Sequence, residues 1–139
     1  MSFQAVIVTP EQQLLDETAT QAIVPAHDGL VGILTGRAPL LVKLGLGALR
    51  IDLPGGKTRE FLVDGGVAQM KDNRLTVVTN AAWAPDELDP ETARAEYAEA
   101  AARRAVSPEE VEDRERQMRR AKLKQEMAGS RPSTTARPD

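Results

Sequence analysis

The chain has no cysteine in its 139 residues. Disulfides and thiolate chemistry are therefore excluded, and the absence fits a reducing compartment. There is one histidine, His27, so a metal site built from several histidines is excluded. Aromatic residues are only four: Phe3, Phe61, Trp83 and Tyr97. So few argue against a base-stacking surface. The formal net charge of −3 offers no general attraction to nucleic acid. No apolar run approaches the roughly 18 residues of a membrane span. Met1-Ser2-Phe3-Gln4 has neither the basic start nor the apolar core of a secretion signal. A soluble cytoplasmic chain is expected, linked to any membrane through a partner.

Glycine and alanine divide the chain. Nine of the ten glycines precede residue 67, and the tenth is Gly129. Seven alanines fall between Ala93 and Ala105. A glycine-punctuated, β-branched part thus gives way to an alanine-rich, charged part, as from strands to helices. The expected architecture is an all-β N-terminal sandwich, residues 1–85, followed by an antiparallel two-helix hairpin, residues 86–128. A disordered tail is expected over 129–139, with Gly129 stopping the second helix.

In the first part, Phe3 to Val8 reads as an opening strand. Thr18 to Val24 is rich in β-branched residues and reads as a strand ending at Pro25. From Asp28 to Leu53 a glycine or proline recurs every few residues, which predicts tight bends between short buried strands. The segment Asp28 to Arg37 is expected as an exposed loop. Leu49, Ile51 and Leu53 alternate with Ala48, Arg50 and Asp52, giving one apolar face. Pro54-Gly55-Gly56-Lys57 is a turn before the Phe61-Leu62-Val63 strand. Asp64-Gly65-Gly66 predicts another bend. Val67 to Thr79 then forms a hairpin about the turn Lys71-Asp72-Asn73-Arg74. Such spacing indicates a sandwich or barrel.

Two helix starts stand out in the second part. Asp89-Pro90-Glu91 places a cap before a proline at the first helical position. Ser107-Pro108-Glu109-Glu110 repeats this and adds a capping box. The helices are expected over about Glu91–Ala105 and Pro108–Met127, folding back on each other. Their seam is thin. It offers Tyr97 and alanines on one side, and Val111, Met118, Leu123 and Met127 on the other. Alanines bury little area each, so at about 25 cal/mol per Å² the seam yields limited stabilisation. The hairpin reads either as a lightly held surface element or as one built to detach.

No constellation supports catalysis. There is no base–nucleophile set, no phosphate loop and no metal-ligand cluster. No cofactor is expected. His27 beside Asp28 reads as a solvated loop pair, and Gly55-Gly56-Lys57 as a hairpin turn. Charge is more informative. From Asp86 to Asp113 there are ten acidic residues against Arg94, Arg103 and Arg104. From Arg114 to Arg137 there are eight basic residues against Glu115 and Glu126. The last helix therefore begins acidic and becomes basic. Helix-dipole complementarity with a solvated face accounts for this; so does docking on an acidic partner.

Several motifs in order carry a family resemblance. They are Gly29-Leu30-Val31-Gly32 through Ala38-Pro39-Leu40-Leu41, Asp64-Gly65-Gly66-Val67, and Leu75-Thr76-Val77-Val78-Thr79-Asn80-Ala81-Ala82. Together with chain length and order of parts, they resemble the epsilon subunit of the F-type ATP synthase. Thr35 and Arg37 depart from it, standing where the family usually has proline and histidine. The resemblance implies a non-catalytic rotor subunit, peripheral on the cytoplasmic face of a bacterial plasma membrane. Its sandwich would grip the gamma subunit and the c-ring, with Asp28, Leu30, Val31 and Arg37 in contact. Its helices would inhibit ATP hydrolysis by reaching the beta and alpha subunits through Arg114, Arg116, Arg119, Arg120, Lys122 and Lys124. Some members bind ATP at the hairpin through a motif like [IL]-D-x-x-R-A. Glu91 and Arg94 give its acid and arginine here, but Pro90 replaces the apolar residue and glutamate the aspartate. Two other readings remain. One is a stand-alone β-sandwich binding module with a helical appendage, and the other is an ATP-sensing protein.

Overall fold

A computed structural model of the chain describes residues 2–130. The chain divides into two compact units, Met1–Trp83 and Ala84–Asp139.

The first unit contains eight strands: β1 (Phe3–Val8), β2 (Gln13–Ala19), β3 (Gln21–Ala26), β4 (Gly29–Leu34), β5 (Leu40–Asp52), β6 (Thr58–Lys71), β7 (Arg74–Val78) and β8 (Ala82–Trp83). They form one hydrogen-bonded path in the order β2-β1-β7-β6-β5-β3-β4, with β8 also on β6. The path folds over itself as a sandwich, and the long strands β5 and β6 serve both layers. All pairs are antiparallel except β1 with β7. The core follows the expected alternation. Leu49, Ile51 and Leu53 are buried, while Ala48 and Arg50 face solvent. Ile7, Leu62, Val63, Leu75 and Val77 join them with no exposure. Burying each such side chain contributes about 1.5–3 kcal/mol, so this layer accounts for the unit's cohesion.

Four expectations are corrected here. The strand expected over Thr18 to Val24 is two strands, β2 and β3, broken at Thr20. Pro25 lies within β3 instead of ending it. The β3–β5 register shifts between Ile23 and Ala26, so no ladder donor is demanded of the proline. The segment Asp28 to Arg37 is chiefly an edge strand, β4, rather than a loop, because it pairs with β3 from Gly29 to Leu34. The bends expected at Gly45, Gly47 and Asp64-Gly65-Gly66 fall inside β5 and β6, which run through them. At Gly47 the reason is close approach: a Cβ there would lie 2.9 Å from Cβ of Pro25.

The second unit opens with a 3-10 turn, Pro85–Glu87, followed by α1 (Pro90–Ala102) and α2 (Pro108–Ser130). Both helix starts are capped as their sequences require. Asp89 Oδ2 accepts from the Thr92 backbone N–H at 3.3 Å and from its hydroxyl at 2.7 Å. Ser107 Oγ accepts from the Glu110 N–H at 3.1 Å, and Glu110 Oε1 accepts in return from Ser107 N–H at 3.0 Å. Helix α1 ends three residues earlier than expected. Arg103 is extended and its guanidinium crosses to α2, so residues 103–107 make the reversal. Gly129 does not stop α2, which continues to Ser130. One glycine costs a helix only about 1 kcal/mol. Of the tail expected to be disordered over 129–139, residues 129 and 130 belong to α2, and 131–139 lie outside the described residues.

Candidate functional site

The β3–β4 hairpin places the first set of candidates. Asp28 sits in its exposed turn, beside His27, whose backbone N–H donates to the Lys43 carbonyl at 2.8 Å. Alternation along β4 turns Leu30, Gly32 and Leu34 outward and buries Ile33. Leu30 is 72% exposed and Leu34 58%. Val31 is half-buried. Arg37 follows β4, exposed, with its backbone N–H on the Leu34 carbonyl at 3.1 Å. Leu41, at the start of β5, is 71% exposed. These large apolar side chains therefore lie outside the core, on the surface of the sandwich.

The second set lies along α2, and its six cations do not share one environment. Arg116, Arg119 and Lys122 are exposed, while Arg114, Arg120 and Lys124 are half-buried. Arg114 donates through Nη1 to the Arg103 carbonyl at 3.2 Å, capping the C-terminal end of α1. Lys124 reaches across to Glu96 at 3.2 Å. Arg103, absent from the candidates drawn from sequence, is the hinge-side counterpart: its Nη2 is 2.8 Å from Asp113 Oδ2, and its Nη1 donates to Gln117. Its only sequence signal was a basic residue near a helix end. These groups border a groove of about 440 Å³ between α1 and α2, lined by Glu96, Glu99, Arg103, Gln117, Arg120 and Lys124 among others. Glu91 and Arg94 are not brought to that groove. They pair with each other, Arg94 Nη1 lying 2.7 Å from the Glu91 carboxylate, both well exposed.

Hydrogen bonds from the Ser107 and Val106 backbone N–H groups hold the Glu110 carboxyl below the usual carboxylate range. Among the described residues no group of three or more histidine, cysteine, aspartate or glutamate side chains could hold a metal. Nor is any helix among them long and apolar enough to cross a membrane.

The comparisons with known proteins agree on one family. The ATP synthase delta/epsilon chain β-sandwich domain matches residues 2–85. The chain belongs to the ATP synthase delta/epsilon chain family. The ATP synthase epsilon chain of Rhodopirellula baltica is 39% identical over 122 residues, covering 88% of this chain and 94% of that one. That of Microcystis aeruginosa is 39% identical over 103 residues, 74% of each. The fold recurs in a chain of the Euglena gracilis mitochondrial ATP synthase, solved as OSCP/F1/c-ring, with TM-score 0.78 at 20% identity over 88% of this chain and 78% of that one. It recurs again in the Tetrahymena thermophila central stalk/c-ring structure, with TM-score 0.66 at 15% identity over 90% and 95%. As a member of that family the chain is a non-catalytic subunit of ATP synthase.

Proposed function

We propose that the chain works in the central stalk of a proton-translocating F-type ATP synthase, on the cytoplasmic face of a bacterial membrane. Its sandwich couples the gamma subunit to the c-ring, and its helices restrain ATP hydrolysis. The observation that carries this is the 39% identity to an epsilon chain across 94% of that chain's length, a span that includes both sandwich and helices. The β4 edge supports the first role. Leu30 and Leu34 stand exposed along it, Val31 is half-buried beside them, and Asp28 and Arg37 add one charge of each sign at its two ends; a stable partner would cover it. The basic run of α2 supports the second. Arg116, Arg119 and Lys122 already face water, and opening the hairpin would free Lys124 and Arg114 to join them in reaching acidic surfaces on the beta and alpha subunits.

Affinity capture tests the assignment. The full chain, tagged at its N-terminus, is expected to retain the gamma subunit and the c-ring from detergent-solubilised membranes of the source cell. Capture of neither, with the chain folded, rules the assignment out.

A further inference from the structure

Asn73 ties two remote pieces of the sandwich, the N-terminal end of β1 and the turn after β4, to its own turn. It sits in the β6–β7 turn with φ +58°, next to Asp72 with φ +51°. Its Oδ1 accepts from the Gly36 backbone N–H at 3.0 Å. Its Nδ2 donates to the Ser2 carbonyl at 3.3 Å. Its own carbonyl accepts from Gln4 N–H at 3.0 Å. The amide has one acceptor and one donor end, and both find backbone partners of the right kind, so its orientation is determined by them. Gly36 is 37 residues away in sequence and Ser2 is 71 away. The turn chemistry alone does not require this. Glycine suits a left-handed turn position as well as asparagine does, but has no side chain to reach either partner.

The geometry points to Asn73 as a positioning residue for docking: it fixes the exposed segment 36–39 so that Arg37 is presented to the partner. The inference rests on the proposed role of Arg37 and the β4 edge at the stalk. Gly36, Arg37, Ala38 and Pro39 are all exposed, so the core does not hold them in place. The Arg37-to-Leu34 backbone bond closes their own turn, and the Asn73 amide ties that turn to the β6–β7 end of the sandwich. Segments anchored only locally sample several arrangements, and docking would bear the cost of ordering them.

The test uses the full chain, with two readouts. The first is amide exchange at Gly36 by NMR. Asn73 is remote in sequence, so substituting it leaves the intrinsic exchange rate of Gly36 untouched. Asn73→Gly keeps the turn and removes both side-chain bonds; Gly36 exchange is expected to rise by up to about tenfold, with Val77 in β7 unchanged. Asn73→Asp keeps the acceptor and the tolerance of positive φ, and is expected to restore Gly36 protection. The second readout is affinity for a purified gamma–c-ring subassembly. Asn73→Gly is expected to weaken it several-fold and Asn73→Asp to recover it. Unchanged Gly36 exchange in Asn73→Gly overturns the tether. Faster exchange with unchanged affinity overturns the docking role. A wild-type chain that does not bind the subassembly overturns the stalk assignment and the docking role with it, while the exchange result still decides the tether.

Discussion

Lys124 and Glu96 join α2 to α1 through an ion pair of 3.2 Å, in which the lysine side chain is only 14% exposed and the glutamate 43%. It stands where the apolar seam is sparse. The buried residues of the two helices are chiefly small, Ala93, Ala100, Ala121 and Ala128, with Met127 the one large side chain among them, while Met118 and Leu123 are only half-buried. A double-mutant cycle with Lys124→Ala and Glu96→Ala is expected to give a coupling of about 0.5–1 kcal/mol in favour of the closed hairpin, read from denaturant unfolding of the helices. Added salt is expected to reduce it. A coupling of zero means that this pair contributes nothing to holding the hairpin closed.

Acidification is expected to loosen the hairpin turn at Ser107 and Glu110. The folded Glu110 carboxyl is held below its ordinary value by the Ser107 and Val106 N–H groups. A depressed carboxyl contributes stability above its unfolded pKa and loses it as pH falls through its folded one. Helical signals from the first turn of α2 are therefore expected to fade only below the ordinary carboxylate range. In Glu110→Gln that pH dependence is expected to vanish, because the amide does not titrate. NMR shifts of the Ser107 and Glu110 amides follow it directly. A fade that persists in the variant assigns it to other groups.

Gly66 and Gly55 make a matched pair for substitution by alanine. At Gly66 a Cβ would lie 2.1 Å from the Val78 carbonyl oxygen and 2.7 Å from Thr79 Cα, with φ +114°. Backbone surrounds it, so nothing flexible can yield. Loss of about 3 kcal/mol or more is expected. Gly55 has φ +87° with nothing within 4 Å, and only the conformational cost of about 1–2 kcal/mol applies. Thermal unfolding of the two variants measures the difference. Equal destabilisation would contradict the close approach of β6 and β7 at Gly66.

Local chemistry was legible in the sequence where a residue type has one strong reason to be there. The Asp89 and Ser107–Glu110 caps, the turn at Pro54 to Lys57 and the Leu49-Ile51-Leu53 alternation all stand as read. Bends were misread where glycine serves another strand. Gly47 leaves room for Pro25, and Gly66 for the end of β7, so β5 and β6 pass through both. Such approaches depend on non-local pairing, which spacing along one segment does not reveal. The parallel β1–β7 pair was missed for the same reason, whereas β2 pairs with its chain neighbour β1 and was missed because charged Asp16 and Glu17 interrupt its apolar residues. In the helices, the six basic residues looked equivalent in a row. The fold separates them, because Arg114 and Lys124 find partners on or beside α1 and Arg119 and Lys122 do not face it.

Hydrolysis by the assembled enzyme tests the regulatory role. Replacing Arg119, Arg120 and Lys122 with alanine removes three cations from the arm. At roughly 0.5 kcal/mol per exposed pair, docking would weaken by about 1.5 kcal/mol, close to tenfold. Hydrolysis is expected to rise while assembly stays intact. Ending the chain after Leu88 is expected to raise it at least as much. Unchanged hydrolysis in both variants makes the basic run a solvated face.

Cysteine crosslinking in the assembled ATP synthase tests the central claim most directly. Single cysteines at Asp28 and Arg37 bracket the β4 edge, and one at Lys57, in the turn at the far end of β5, serves as control. Crosslinks from Asp28 or Arg37 to the gamma subunit or the c-ring, absent from Lys57, are the expected result. If neither Asp28 nor Arg37 reaches either partner in an enzyme shown to contain the chain, the β4 edge is not the docking surface of the stalk.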